Sequence, residues 1–390
     1  MSEQLGIVRP LSEVDADQYS LLWLESRRLN PDIFSDATGE YDINFIRTRT
    51  REDLRQKTKI ILGCEDNGEL IGVGEVEREA PANRNHRARA YGMYVKESMR
   101  RRGVGEQLLD KIVQEARAMD GVEQIEFGLT GNNEGQRNFF ESKGFESYGL
   151  HPRWMKVNGI YYDAQFMGLE LGKPALMQRE EVEKAVKAWG DLASSPKTHE
   201  RHDDRPPKST RPKLPGSMRK LTLRDATQYQ YLRSEARRLH PDIFADSYEA
   251  EVRKTIAEIK REMKQRTIFG FVPEGGSEIL GIAEYRREED ENKKHRAHLG
   301  GMFVKESVRR YGIGKDLVDV VIDHARKDGM AQLELGVVAS NGQALKLYDR
   351  TGFNSRGAVH KNWMKVDGEA IHVHFMILPL DDEVTTSTHS

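Results

Sequence analysis

The chain has 390 residues, with Lys plus Arg at 61 against Asp plus Glu at 63 and a net charge of −2. That length exceeds one ordinary domain and suits two or three, and the charge balance excludes an overall pull toward nucleic acid or an anionic membrane. The single cysteine, Cys64, excludes an intrachain disulfide and a cysteine-rich zinc site.

No apolar run approaches the ~20 residues that span a bilayer, and no basic segment with an apolar run opens the chain. No signal peptide and a cytoplasmic location are therefore expected. In chain order, a helix is predicted over 15–29, closed by Pro31. Strands over 60–65 and 70–77 flank Asp66-Asn-Gly-Glu, a hairpin turn. A long strand over 87–95 leads into a basic, glycine-containing turn. An amphipathic helix over 104–119 follows, with Leu108, Leu109, Ile112 and Val113 on one stripe. A strand over 124–129, a helix ending at Gly144-Phe145, and strands around 154–157 and 161–169 complete the first half.

A further helix is predicted over 179–193, with Val182, Val186 and Trp189 on its apolar stripe. Residues 194–217 are rich in Pro, Ser and charge without periodicity, the composition of a flexible linker. The order of elements then restarts. Helices are predicted over 225–239 and 248–264, strands over 267–272, 279–286 and 297–304, and a helix over 313–327. A strand over 332–338, a helix ending at Gly352-Phe353, and strands around 363–366 and 370–378 follow, before a tail over 381–390 expected to be disordered. The expected domains are 1–175 and 218–380, joined through 176–217. The fold class is α+β (mixed α/β), each domain a central twisted mixed sheet flanked by helices.

The second half repeats the first. Tyr94-Val-Lys-Glu-Ser-Met-Arg-Arg-Arg-Gly-Val-Gly105 returns as Phe303-Val-Lys-Glu-Ser-Val-Arg-Arg-Tyr-Gly-Ile-Gly314, a gapless copy displaced by 303 − 94 = 209. His86-Arg-Ala returns as His295-Arg-Ala, and Trp154-Met-Lys-Val-Asn-Gly as Trp363-Met-Lys-Val-Asp-Gly. A period this long means two homologous domains, because solenoid units run only ~20–50 residues. A basic turn with two glycines that opens a helix suits a pyrophosphate. Helix N-termini carry unpaired N–H groups, and glycine lets the backbone approach. Arg100, Arg101 and Arg102, or Arg309 and Arg310, add positive charge. The dinucleotide fingerprint fails, since Gly105 is followed by Glu106-Gln107-Leu108, and neither turn closes with the Gly-Lys-Ser/Thr of a Walker loop.

Val-x₄-Arg-x₂-Gly-x-Gly, then Asn-x₆-Tyr and Gly-Phe some thirty residues later, resembles the GNAT N-acetyltransferase superfamily in a tandem, two-domain arrangement. The resemblance covers nearly all of both domains. It implies acetyl-CoA as co-substrate, its pyrophosphate in the turn and its pantetheine between two splayed central strands. The residues so implied are Met302, Val304, Arg309, Arg310, Gly312, Ile313, Gly314 and Asn341. In the first copy they are Met93, Val95, Arg100, Arg101, Gly103, Val104, Gly105 and Asn133. The thioester carbonyl is expected near the N–H groups around Met93 and Val95, or Met302 and Val304.

Acetyl transfer to an amine requires loss of the amine proton, donors for the oxyanion, and a proton for the leaving thiolate. Family members use a tyrosine for the last task, and Tyr348 stands at that position; the first copy has Phe140 instead. The second domain is therefore expected to be catalytic and the first not. Glu284, whose counterpart is Glu75, and His298, whose counterpart is Arg89, are the two candidate bases. His298 is expected to share a strand face with Met302.

No metal site is expected; His199-Glu-Arg-His-Asp-Asp204 falls in the linker and is read as a solvated charge run. Arg47 to Arg51 and Arg233 to Arg238 are read as charged helix faces rather than a nucleic-acid surface, Lys156 and Lys365 as structural, and Trp154 and Trp363 as core. Cys64 has no counterpart in the second copy and is not a nucleophile. The expected partners are acetyl-CoA and an amine-bearing acceptor, with no nucleic acid or membrane. The two copies are expected to form a pseudo-dimer within one chain, further oligomerisation being open. The alternative reading is an acyl-CoA-binding regulatory or scaffolding protein without turnover.

Overall fold

The structure, a computed structural model, describes residues 6–31, 33–34, 42–56, 59–131, 134–172, 214–244, 247–355, 359–366 and 368–381. The helix expected over 179–193, the His199 cluster and the tail beyond Asp381 lie outside the described residues. The first half forms β1 (Ile7–Pro10), α1 (Ala16–Leu29), α2 (Ile43–Gln56), β2 (Ile60–Asp66), β3 (Glu69–Arg78) and β4 (Arg87–Val95). It continues with α3 (Val104–Ala118), β5 (Gln124–Thr130), α4 (Glu134–Ser142), β6 (Glu146–Val157) and β7 (Ile160–Glu170). The second half forms β8 (Gly216–Lys220), α5 (Ala226–Leu239), α6 (Tyr248–Arg253), α7 (Ile256–Lys264), β9 (Thr267–Pro273), β10 (Gly281–Arg287) and β11 (Arg296–Val304). It ends with α8 (Ile313–Lys327), β12 (Gln332–Val338), α9 (Gly342–Arg350), β13 (Val359–Val366) and β14 (Glu369–Pro379).

Each half closes one seven-stranded sheet, in the orders β1-β2-β3-β4-β5-β7-β6 and β8-β9-β10-β11-β12-β14-β13. All neighbours are antiparallel except the central pairs β4–β5 and β11–β12, which need a crossover helix, α3 or α8. Both faces of each sheet are covered. Leu317, Val318, Val321 and Ile322 of α8 pack on Ala297, Leu299, Leu333 and Leu335, while Tyr229 and Leu232 of α5 with Ile259 and Met263 of α7 pack on Ile282 and Phe303. Among the described residues no helix is long and apolar enough to cross a membrane.

Several expectations shift. The stretch 248–264 is two helices, because Thr255 accepts from the Glu258 N–H while the Glu258 carboxylate reaches back to the Thr255 N–H, a capping box that restarts the helix. The short edge strands β1 and β8 escaped the pattern, and β8 overruns the linker expected up to residue 217. β6 starts at Glu146 rather than at Trp154, since Pro152 and the left-handed Arg153 (φ 51°) interrupt its alternation. The 66–69 turn is as expected, with Asn67 (φ 49°) and Gly68 (φ 80°) both left-handed.

The two domains interlock by a reciprocal set of contacts. Arg87 donates to the Trp363 carbonyl (2.9 Å) and His86 meets the Asn362 carbonyl (2.9 Å). In the opposite sense Arg296 donates to the Trp154 carbonyl (2.7 Å) and His295 meets the Arg153 carbonyl (2.9 Å). Each arginine is buried, pairs with a carboxylate of its own sheet, Glu126 or Glu334, and lies over the other domain's indole, 4.3 Å for Arg87 on Trp363 and 4.2 Å for Arg296 on Trp154. Trp154 and Trp363 are therefore interface residues, each only partly buried and covering an arginine of the other domain, and Trp363 also packs on the core around Val338, Met364 and Val373. Lys365 also crosses, its ammonium 2.6 Å from Glu123, whereas Lys156 stays local, donating to the Tyr161 hydroxyl. His151 and His360 meet at the centre of this arrangement, ring centroids 5.8 Å apart.

Candidate active site

The site grows from one local irregularity. β10 and β11 pair Ile282 with Phe303 but Glu284 with Gly300, so two steps on β10 are matched by three on β11. The extra residue is a β-bulge, and it reverses which face of the sheet each later side chain meets. Ala297 and Leu299 before it, and Met302 and Val304 after it, all pack toward α8. Phe303 packs toward α5. His298 therefore lies on the opposite face from Met302, contrary to expectation, because strict alternation does not survive a bulge. Gly301 makes the bulge possible. Its φ is 53°, and a β-carbon there would stand 2.2 Å from the Glu284 carboxylate.

Beyond the bulge the central strands part. β11 pairs with β12 only over Arg296, Ala297 and His298, and β4 with β5 only from Arg87 to Ala90. The edge of β11 that carries Met302 and Val304 thus faces an open wedge, with no strand partner among the described residues. Backbone groups along such an edge can receive the amides of an extended ligand as an added strand would. Met93 and Val95 hold the same place in the first domain.

The glycine turn lies at the mouth of each wedge. Gly103 (φ 85°) and Gly312 (φ 87°) are left-handed N-caps of α3 and α8, and neither helix start has a side-chain cap. A β-carbon on either glycine would meet nothing within 4 Å, so left-handed backbone, not space, is what requires glycine there. The uncapped N–H groups after them, from Val104 and Gly105 or Ile313 and Gly314, remain for an anion. Arg101 (φ 62°) and Arg310 (φ 70°) are exposed and also left-handed. Arg100 and Arg309 instead fold back, donating to the carbonyls of Val95 (3.2 Å) and Val304 (3.1 Å), and Arg309 further meets His240 (3.0 Å). Those two arginines shape the turn. Asn341 caps α9, accepting from the Ala344 N–H at 3.1 Å; Asn133 lies outside the described residues.

Tyr348 reaches the same wedge from α9. Its hydroxyl donates to the Met302 sulfur at 3.4 Å, and the Met302 methyl stands 3.3 Å from where a Gly314 β-carbon would be. Strand, turn and tyrosine thus converge on one side chain. Burial alone pushes the Tyr348 phenol well above its ordinary pKa, so it keeps its proton at neutral pH. Phe140 fills the counterpart position, packed against Phe127 (4.7 Å), Phe139 (5.3 Å) and Phe145 (5.4 Å).

The two candidate bases lie on the other face. Burial raises the pKa of Glu284, but Arg233 and Arg266 overcome it and hold the carboxyl below its ordinary range. One oxygen accepts from Tyr229 (2.6 Å) and the other from Arg266 (2.6 Å). Arg233 and Arg237 are buried, and Arg233 pairs with Glu251 at 2.8 Å. The run 233–238 is thus only partly a solvated face. Arg47 and Arg51, by contrast, pair with exposed Asp17 on a helix surface as expected. His298 is partly exposed and bonds Glu288, whose carboxyl is held down to about 2, chiefly by that bond. Glu288 escaped the sequence reading because it sits in the acidic run 288–291, where nothing singles it out. Tyr348 packs on the α8 side and Glu284 bonds Tyr229 on the α5 side, so the sheet stands between them.

The acetyltransferase (GNAT) family matches the chain twice, over residues 19–145 and 229–353. N-alpha-acetyltransferase 30 of Saccharomyces cerevisiae is 26% identical over 107 residues, 27% of this chain and 58% of that protein. The [ribosomal protein bS18]-alanine N-acetyltransferase of Escherichia coli K12 is 34% identical over 84 residues, 22% of this chain and 56% of that protein. The chain thus spans a little over half the length of these relatives. A solved Salmonella typhimurium acetyltransferase with acetyl-CoA superposes with a TM-score of 0.40 at 18% identity, covering 45% of this chain and 99% of its own. Both family matches enclose a splayed strand pair and a glycine turn, and the chain belongs to the acetyltransferase (GNAT) family.

Proposed function

We propose that the chain is an N-acetyltransferase that passes the acetyl group of acetyl-CoA to an amine by direct attack in a ternary complex, and that the second domain does the chemistry. The observation that carries this reading is the buried Tyr348 hydroxyl, bonded to the Met302 sulfur beside the glycine turn, where the first domain has Phe140. In the reaction the amine nitrogen forms a bond to the thioester carbon, and backbone N–H groups of the wedge steady the oxyanion. The C–S bond then breaks and the thiolate takes the Tyr348 proton. The amine proton leaves on the opposite face, where His298 is oriented by Glu288. Glu284 is the weaker candidate base, since both its oxygens are occupied; its role is to hold Tyr229 and Arg266 under the bulge.

The first domain retains the wedge and the uncapped turn and is read as an acetyl-CoA holder with little turnover. The buried, single Cys64 suits a cytoplasmic protein. The acceptor panel follows from the relatives, whose names include an N-alpha-acetyltransferase, a ribosomal protein bS18-alanine N-acetyltransferase and a thialysine N-epsilon-acetyltransferase. The test is thiol release by the full chain from acetyl-CoA with an N-terminal alanine peptide, thialysine and simple alkylamines, beside calorimetric titration of acetyl-CoA. Amine-dependent thiol release is expected. Binding without release on every amine would leave the acyl-CoA-binding reading in its place.

A further inference from the structure

A second difference between the domains lies on the acceptor side of the wedge. Met302, Gly314 and Tyr348 occupy the α8 side, so a coenzyme bound to the turn fills that side. An acceptor can then reach the thioester only from the α5 side of the bulge. On that side the residue paired with the buried carboxylate of β10 is Gly300, opposite Glu284; the residue paired with the buried carboxylate of β3 is Tyr91, opposite Glu75. Paired residues on antiparallel strands share a face, so the side chain at this position stands where the acceptor must pass.

The two positions could hardly differ more in bulk. Gly300 is exposed, and a β-carbon added to it would meet no atom within 4 Å. Tyr91 is partly buried, and Lys59, which pairs with Glu75, stands 5.7 Å from its ring centroid. Burial, then the carboxylates of Glu75 and Glu77, keep its phenol protonated and uncharged. Two of the groups around it are matched, since Tyr19 and Lys59 hold Glu75 as Tyr229 and Arg266 hold Glu284, while Arg233, which adds to the second set, has Trp23 in its place in the first. A tyrosine and a cation hold the carboxylate in both domains, and beside that shared pair the bulk on the facing strand differs.

We propose that Gly300 is the acceptor-admitting position of the second domain and that Tyr91 closes the same passage in the first. The inference rests on the acetyltransferase reading for its biological sense, but its geometry concerns only what fits past the bulge. The first domain is then closed twice, by Phe140 at the leaving thiol and by Tyr91 at the incoming amine.

The test separates the passage from the chemistry by using a stable probe, coenzyme A joined through sulfur and a carbonylmethyl group to butylamine as its amide. Its coenzyme part seats in the wedge and its butyl tail must leave past position 300 or 91. Calorimetry on the full chain is expected to show one tight site for the probe. Gly300→Tyr should weaken that site at least tenfold with coenzyme A affinity unchanged. Gly300 lies outside the left-handed region, so its backbone accepts a tyrosine. Tyr91→Gly should add a second probe site, an independent gain should Gly300→Tyr not fold. Equal probe affinity in wild type and Gly300→Tyr, or two probe sites in wild type, would overturn the proposal. Loss of amine-dependent turnover in wild type would count against the acetyltransferase reading alone, since the probe does not react.

Discussion

Glu284 shows how a residue can stand beside the chemistry and still serve the fold. Its carboxylate is buried between Tyr229 and Arg266 with Arg233 nearby, and removing its charge leaves half-buried Arg266 without its partner. Breaking a fully buried pair from one side costs about 3 kcal/mol or more, and the partial exposure of Arg266 brings the cost here below that. Glu284→Gln is therefore expected to lower the thermal midpoint of the second domain clearly, while the protein that remains folded at low temperature keeps its acetyl-CoA affinity. Because the folded-state pKa is depressed, this contribution is complete at neutral pH and is lost as pH falls through the carboxylate range. At the other end of the site, Phe140→Tyr in a Tyr348→Phe chain is expected to restore no turnover. The phenol would return to the first domain, but Tyr91 would still stand on the acceptor side; steady-state thiol release checks it. Glu284 and the glycines were legible as residues because they repeat at 209, and Tyr348 because it ends the Asn-x₆-Tyr on which the family resemblance rests. The contacts that decide the roles were not, since Arg266 meets Glu284, Met302 meets Tyr348 and Glu288 meets His298 only in the folded sheet.

At the scale of elements, strand and helix succession could be read from apolar periodicity, and both glycine turns fall where it predicts. The bulge could not. Its one mark is a glycine inside the strand, Gly301 and Gly92, which strict alternation passes over, yet the extra residue in β11 puts Met302 and His298 on opposite faces. Likewise the capping box at Thr255 overrides a periodicity that runs unbroken through 248–264. The turn itself offers a prediction. Gly312→Ala must hold a β-carbon at φ 87°, which costs about 1 kcal/mol, or roughly fivefold in an equilibrium constant. Since open space surrounds the site, no clash adds to that. The expected result is acetyl-CoA bound about fivefold more weakly at one of two sites by calorimetry, with the other unchanged.

For the whole molecule, the interface is a pseudo-symmetric exchange in which each domain's Arg87 or Arg296 is completed by the other's Trp363 or Trp154. The repeated His-Arg-Ala and Trp-Met-Lys-Val motifs carried this in the sequence, for two motifs kept in both copies are what a reciprocal contact needs; apolar character made the tryptophans look like core only. At its centre His151 and His360 are buried, and among the described residues no hydrogen-bond partner meets their ring nitrogens. Burial first, then Arg296 and His298 for His151, against Glu334, and His151 and Arg87 for His360, hold their pKa values down to about 4 and about 2. A depressed histidine binds fewer protons folded than unfolded. Stability is thus complete above about pH 6.5 and falls below it, by up to about 1.4 kcal/mol per pH unit for each ring. The double variant His151→Phe, His360→Phe is expected to flatten the decline of the thermal midpoint between pH 6.5 and 4. The interface also binds the two sites into one body, so the division of labour is best measured on the intact chain. The most direct measurement is turnover and acetyl-CoA stoichiometry of full-length Tyr348→Phe. The account predicts at least a hundredfold fall in amine-dependent thiol release, within the range of a lost general acid, with two acetyl-CoA molecules still bound. Unchanged turnover in that variant would contradict it.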